Sequence, residues 1–272
     1  MSPIITLTTD FGLSDPYVAS MKGIILSINP DVVIADITHA VEPQQIEQGA
    51  FLLAAAWSYF PSGSIHVAVV DPGVGTERRA IALATPAGTF VGPDNGILSA
   101  ALPDHARQAA GEEPHPVPLP PGTAAHLLAN DRFHRTPVSA TFHGRDIFAP
   151  VAAHLSRGVP LDEFGPPATE IMAFPPFRAR EQLDGSLLGR VMHIDRFGNL
   201  ITDVRAEQLP APPLVVVIAG RRIEGLSPTY GHGAGLLTII GSSGFLEIAL
   251  RQWSAALELG THIGDSLLVR GA

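Results

Sequence analysis

VAVVDPGVGTERR, residues Val67–Arg79, decides how this chain is read. Small and β-branched apolar residues from Ile65 to Val70 predict a strand buried on both faces. The run stops at Asp71, where Pro72-Gly73 and Gly75 impose a tight turn. A carboxylate at the C-terminal end of a buried strand, followed by a glycine loop, is where open α/β sheets place ligand chemistry. Arg78 and Arg79 close the loop, so one guanidinium can fold back toward Asp71. The competing reading is a turn whose Asp bonds only its own backbone.

The chain upstream repeats the pattern. Ile4–Thr9 is a β-rich run ending in Asp10-Phe11-Gly12. Asp15-Pro16 predicts a helix start, with Asp15 as cap and Val18, Met21, Ile24 and Ile25 on the apolar side. Val32–Ile37 is the next strand, and Gln44–Phe60 predicts a second helix. Strand–helix–strand–helix–strand at this spacing means an α/β fold with a largely parallel sheet. Ala80–Ala84 and Thr89–Val91 continue as strands, Pro93-Asp94-Asn95-Gly96 turns into a short helix, and 103–123 reads as an irregular loop. An apolar helix is expected over Ile147–Leu155.

Residues 1–165 are thus expected to form an N-terminal α/β domain. The stretch from Gly158 to Pro176 is dense in proline, and a Pro-rich linker is expected over 166–183. Short strands then recur without long helices: 187–194, 198–204, 214–218, 221–223, 236–240, 245–249 and 266–270. Residues 184–272 are expected to be an all-β, barrel-like domain.

Composition narrows the function. The chain has 272 residues, a net charge of −9 and no cysteine. Thiolate metal sites, disulfides and Cys nucleophiles are excluded. The acidic balance argues against non-specific nucleic-acid binding. No signal peptide and no membrane span is read, so a cytoplasmic protein is expected. Charged residues are only 16% of the chain, which hints at surface buried between subunits. The 11 histidines show no HxH or HExxH spacing, and no metal or cofactor is expected.

Asp10, Asp71 and Asp195 each follow an apolar run and stand beside a glycine turn. Three such carboxylates suit a polar ligand with hydroxyl or ammonium groups. Asp195-Arg196-Phe197-Gly198-Asn199 combines an acid, a ring and a carboxamide, which suits a purine: the ring stacks and Asn offers a donor and an acceptor. Gly241-Ser242-Ser243-Gly244 can hold a carboxylate, although a hairpin turn is the commoner use.

These motifs occur in one order: TTDFG at Thr8–Gly12, DPGVGTxR at Asp71–Arg78, PDNG at Pro93–Gly96, TFHGRD at Thr141–Asp146, IDxFGN at Ile194–Asn199, and Ser242–Ala249. Together they resemble the S-adenosylmethionine hydrolases that form adenosine, also called S-adenosylmethionine hydroxide adenosyltransferases, which share a scaffold with the fluorinase and chlorinase. The resemblance implies an N-terminal α/β domain, a C-terminal β-barrel, and a homotrimer with substrate sites at subunit interfaces. It implies that Asp71, Arg78 and His143 surround the attacking water and that Asp10 holds the ribose hydroxyls. By the same resemblance Asp195 pairs with the methionine ammonium, Phe197 and Asn199 contact adenine, and Tyr230 falls where a stacking aromatic sits. Ser242 matches a methionine carboxylate contact, Ser243 falls where the fluorinase has Arg, and Glu247 joins the substrate-binding set. The fluorinase has Tyr in place of Asp71 and Ser in place of Gly144. The expected reaction is hydrolysis of S-adenosyl-L-methionine to adenosine and L-methionine. A halide-dependent adenosyl transferase and a non-catalytic binder are the alternatives. Whether Asp71 or His143 takes the proton, and whether Arg78 or Arg79 faces the site, stays open at this level.

Overall fold

The computed structural model describes residues 2–108, 111–232 and 235–271. The chain divides into two compact units, Met1–Pro176 and Phe177–Ala272.

The first unit opens with strand β1 (Ile4–Thr9), helix α1 (Tyr17–Ile28), β2 (Val33–Thr38), α2 (Ile46–Ala56) and β3 (Ser64–Val69). It continues with β4 (Ala80–Ala84), β5 (Gly88–Pro93), β6 (His115–Pro118), β7 (Ala124–Leu127), α3 (Ala149–Ser156), β8 (Pro167–Ala168) and β9 (Glu170–Ala173). Among the described residues, seven strands make one sheet in the order β2-β1-β3-β5-β4-β7-β8. The β2, β1, β3 and β5 pairings are parallel, and β4, β7 and β8 add antiparallel strands on one side. β6 pairs separately with β9.

The order of the sheet explains where a ligand goes. The crossover through α1 carries the chain from β1 to β2, and the crossover through α2 returns it to β3 on the other side of β1. The connections diverge between β1 and β3, so a crevice opens at the C-terminal ends of these two strands. Asp10 and Asp71 follow those two ends. Helices cover both faces. Met21 and Ile25 of α1 and Ala149–Ala153 of α3 pack with Leu7, Val67 and Val69. Leu53 of α2 packs with Ala68, Val70, Ile97 and Leu98 on the other side.

Local details depart from the sequence expectations. The residue capping α1 is Pro16, with no side-chain cap bond, so Asp15 does not cap the helix. Helix α2 starts at Ile46, because Gln44 takes a left-handed φ of 68°. The helix expected from Ile147 is a π-turn over Gly144–Phe148 that runs into α3. The loop expected over 103–123 contains β6; its residues 109 and 110 lie outside the described residues. The stretch expected as a linker, 166–183, holds β8, β9 and the first strand of the second unit. Proline is tolerated there because β8 is an edge strand of its sheet.

The second unit contains β10 (Arg180–Glu181), β11 (Leu187–Ile194), β12 (Leu200–Arg205), β13 (Leu214–Ile218), β14 (Arg221–Glu224), β15 (Leu236–Ile240), β16 (Phe245–Leu250), α4 (Ala255–Leu259) and β17 (Ser266–Gly271). Its antiparallel path runs β14-β13-β17-β11-β12-β16-β15. Ser227 N–H donates to Thr238 O at 2.7 Å, bringing the chain after β14 against β15, so the sheet nearly closes on itself. Leu187, Val191, Leu200, Val216, Leu246 and Val269 fill the interior. No helix among the described residues is long and apolar enough to cross a membrane.

Candidate active site

Val70 is fully buried, and the chain leaves the sheet at Asp71. Arg78 folds back over the turn. Its Nε donates to both Asp71 oxygens at 2.9 Å, and its Nη2 also donates to Oδ2. The same Nη2 lies 2.8 Å from His143 Nδ1. The guanidinium sits 5.3 Å above the centre of the buried Phe148 ring. Side-chain exposure is 5% for Asp71 and 11% for Arg78, so the pair is shielded from screening by solvent.

A guanidinium has donors and no acceptor. His143 Nδ1 therefore accepts from Arg78, and the neutral ring carries its proton on Nε2. Burial, followed by the Arg78 charge and with a smaller push from His134, lowers the His143 pKa below its usual value; Asp71 and Asp146 oppose the shift. The three side chains form one hydrogen-bonded line, with Arg78 in the middle.

Gly75 makes this line possible. Its φ is +77°, and a Cβ there would collide with the Ala140 carbonyl oxygen. Only glycine lets the Asp71 loop press against the segment that carries His143. Arg79, the other candidate, turns elsewhere: its Nε donates to Asp94 Oδ2 at 2.7 Å. Arg78 is the arginine on Asp71.

Asp10 stands at the neighbouring strand end. Its Oδ2 accepts from the Gln44 backbone N–H at 2.9 Å. Burial raises its carboxyl pKa against that bond, and the Asp71 charge adds to the rise. The turn beneath it is pinned by His39, whose Nδ1 is 2.8 Å from Thr9 Oγ1 and whose carbonyl accepts from Gly12 N–H at 2.8 Å. Phe11, Tyr17 and Phe142 form an edge-to-face trio beside these loops.

The second unit carries its own pocket, of about 760 Å³, lined by Asp195, Phe197, Asn199, Tyr230 and Trp253 among others. Asp195 organises its rim. Oδ1 accepts from the Phe197 and Asn199 backbone N–H groups, and Oδ2 accepts from Asn199 Nδ2, each at 2.9 Å. With Nδ2 on Asp195, the acceptor atom of the Asn199 carboxamide is Oδ1. Gly198, at φ +83°, faces Ser254 so closely that no Cβ fits. Phe197 and Trp253 stay 78% and 62% exposed, an unusual state for large rings. Tyr230 Oη donates to Glu247 Oε2 at 2.6 Å. Burial raises the Glu247 pKa, with Asp195 adding and the Tyr230 bond opposing. Burial and the bonded carboxylate also raise the Tyr230 pKa.

The structure thus brings Asp71, Arg78 and His143 together, with Asp10 close by, in the first unit. Asp195, Phe197, Asn199 and Tyr230 line one pocket in the second, with Glu247 bonded to Tyr230. Ser242 and Ser243 stand exposed on the β15–β16 turn and do not line that pocket. Sequence reasoning missed Trp253 and the Gln44 amide. An exposed Trp just past a strand was the available signal for the first; nothing in the sequence signals the left-handed turn at Gln44. No group of three or more His, Asp or Glu side chains among the described residues is placed to hold a metal ion.

Comparison with known proteins agrees over most of the chain. The SAM hydroxide adenosyltransferase N-terminal domain matches residues 5–165, and the C-terminal domain of the same family matches 189–268. A Thermus thermophilus protein named (R)-S-adenosyl-L-methionine hydrolase is 41% identical over 97% of this chain and 98% of its own length. A Salinispora tropica protein of the same name is 40% identical over 98% of both chains. A crystal structure of a conserved protein from Thermotoga maritima superposes with a TM-score of 0.83 at 32% identity, over 98% of this chain and all of that one. With both domain matches in order and full-length relatives at 40 and 41% identity, the chain belongs to the SAM hydroxide adenosyltransferase family.

Proposed function

We propose that this chain hydrolyses S-adenosyl-L-methionine to adenosine and L-methionine, with Asp71, Arg78 and His143 holding the attacking water. The activity is the one named in its full-length relatives. The observation that carries the residue roles is the single Arg78 nitrogen shared between Asp71 and His143.

The sulfonium is already a good leaving group, so no general acid is needed. Water oxygen bonds to the ribose 5′-carbon, the carbon–sulfur bond breaks, its electron pair stays on sulfur, and methionine leaves as a neutral thioether. One water proton must go. The Arg78 bond into Nδ1 supports Asp71 as its acceptor, because the only free nitrogen of His143 already carries hydrogen. His143 Nε2–H then donates to the water and helps orient a lone pair along the bond being broken. The Arg78 guanidinium charge favours the hydroxide-like oxygen as it forms.

Asp10, whose neighbour across the crevice is Asp71, suits the ribose diol: a carboxylate accepts two hydroxyl bonds. In the second unit, the exposed rings of Phe197, Tyr230 and Trp253 offer stacking faces for adenine, and Asn199 Oδ1 an acceptor for its amino group. Asp195 and Glu247 supply negative charge for the ammonium, and Ser242 and Ser243 remain candidates for the carboxylate. Homotrimeric assembly and a cytoplasmic location belong to the same proposal; light scattering and cell fractionation test them.

The deciding experiment is chromatography after incubation with S-adenosylmethionine, with and without chloride. The expected result is adenosine and methionine in equal amounts, unaffected by chloride and lost in Asp71→Ala. A halogenated nucleoside, or bound but unchanged substrate, overturns the reading.

A further inference from the structure

Pro93-Asp94-Asn95-Gly96 bonds to none of Asp71, Arg78 and His143 directly, yet its two polar side chains both end on the segments that carry them. We propose that Asp94 and Asn95 are positioning residues that aim Asp71 and Arg78 at the attacking water. The inference rests on the hydrolase reading of the site.

Asn95 acts on Asp71. Its Nδ2 donates to the Val70 carbonyl at 2.9 Å, fixing the peptide that leads into Asp71. Its Oδ1 accepts from Ile97 N–H at 3.2 Å, which sets which end of the carboxamide faces Val70. Val70 is fully buried, so no water replaces this donor freely.

Asp94 acts on Arg78 through Arg79. Asp94 N–H donates to Arg79 O at 2.9 Å, carrying the β4–β5 ladder one step beyond the Ala80–Pro93 pair. The Asp94 carboxylate, with 1% side-chain exposure, takes the Arg79 guanidinium on Oδ2 and Met172 N–H on Oδ1 at 2.7 Å. Arg79 Nη2 also donates to Glu170 O at 3.1 Å. Successive side chains of an extended segment point to opposite sides. With Arg79 anchored on the Asp94 side, Arg78 is left to face Asp71. Without the anchor, two adjacent guanidinium groups compete for one carboxylate, and the bridge to His143 is no longer the single outcome. The PDNG segment thus selects which arginine serves the site.

The test is kcat and KM for adenosine formation by wild-type, Asp94→Asn and Asn95→Ala, with thermal unfolding of each. Neither residue is placed against substrate, so KM is expected to hold while kcat falls about tenfold or more, the scale of a small misplacement of reacting groups. Arg79→Gln takes the competing guanidinium away with its tether, so it is expected to keep kcat near wild type and to restore kcat when added to Asp94→Asn; where Asp94→Asn does not fold, Asn95→Ala carries the test. Asp94→Asn added to Arg78→Ala is expected to cost nothing further, because Asp94 works through Arg78. A lowered Tm with unchanged kcat per folded enzyme in Asp94→Asn and Asn95→Ala, or a full additional loss on the Arg78→Ala background, overturns the inference and leaves the hydrolase reading standing. A wild-type enzyme that forms no adenosine overturns both.

Discussion

Arg78→Lys separates charge from geometry at the centre of the site. Arg78 uses two nitrogens on Asp71 and shares one of them with His143 Nδ1. A lysine keeps the positive charge but offers one nitrogen, whose three donors diverge. It can reach the Asp71 carboxylate, but it cannot hold both oxygens in plane and also fill the His143 acceptor. At least one charge-assisted hydrogen bond is lost, worth about 1.5–3 kcal/mol. Felt fully in the transition state, at about 1.4 kcal/mol per tenfold, that is roughly a 10- to 150-fold fall in kcat. KM should move little, since Arg78 is assigned to the water and not to substrate. A discontinuous chromatographic assay of adenosine against substrate concentration gives both constants. The pH profile adds a second check. His143 must stay neutral to accept from Arg78, so kcat falls as pH drops through its lowered pKa. Arg78→Gln removes the second of the two main causes of that lowering, so the acid limb moves to higher pH. A kcat for Arg78→Lys within twofold of wild type, with an unmoved acid limb in Arg78→Gln, refutes the argument: charge alone would then activate the water.

The remaining expectations follow from the same geometry. His143→Gln can still accept from Arg78 with its oxygen and donate to water with its nitrogen, so kcat should stay within about tenfold of wild type, whereas loss of a general base costs about 10²–10⁴-fold. Phe197→Ala removes a stacking face and should raise KM, on the scale of about 1–3 kcal/mol for a base on an aromatic ring, with kcat nearly constant. Gly144→Ser places a Cβ 3.3 Å from Phe11 and Phe142 ring carbons and 3.4 Å from Met21 Sδ. It should cost about 1–3 kcal/mol of stability by overpacking, read as a Tm lowered by several degrees.

The sequence makes the α/β unit legible because parallel strands covered on both faces must be apolar along their whole length. Ile65–Val70 and Ile4–Thr9 read as strands through their β-branched residues, and Thr6, Thr8, Thr9 and His66 are the polar side chains buried with them. The helix starts are less legible. Gln44 has good helix propensity, yet it takes a left-handed φ of 68° and turns its N–H to Asp10. Local preference yields there to a contact with the strand-end carboxylate. Arg78 and Arg79 are chemically identical in the sequence. What separates them is Asp94, fifteen positions beyond Arg79, brought alongside by antiparallel pairing of β4 and β5. Ser242 and Ser243 rest on the family resemblance more than on their glycine flanks, because the hairpin between β15 and β16 by itself accounts for the glycines.

The trio also has a charge balance that bears on the choice of nucleophile. Arg78 alone would attract a halide ion strongly in so dry a place. Asp71 takes that charge up through two nitrogens, and neutral His143 adds none. An anion at this spot meets no net positive charge and lies against a carboxylate, so it gains little for losing its hydration. Water is treated differently. It needs one acceptor for its proton and one donor to hold its oxygen, and Asp71 and His143 Nε2–H supply one of each. The arrangement suits a neutral nucleophile that is both donor and acceptor, and on the proposed roles the pairing of Asp71 with Arg78, more than either residue alone, would favour water. Breaking that balance tests the point: Asp71→Asn leaves the Arg78 charge unpaired, so it should abolish most adenosine formation and at the same time make the residual activity sensitive to added chloride. Residual turnover that chloride does not touch would show that the neutrality of the trio plays no part in the selection.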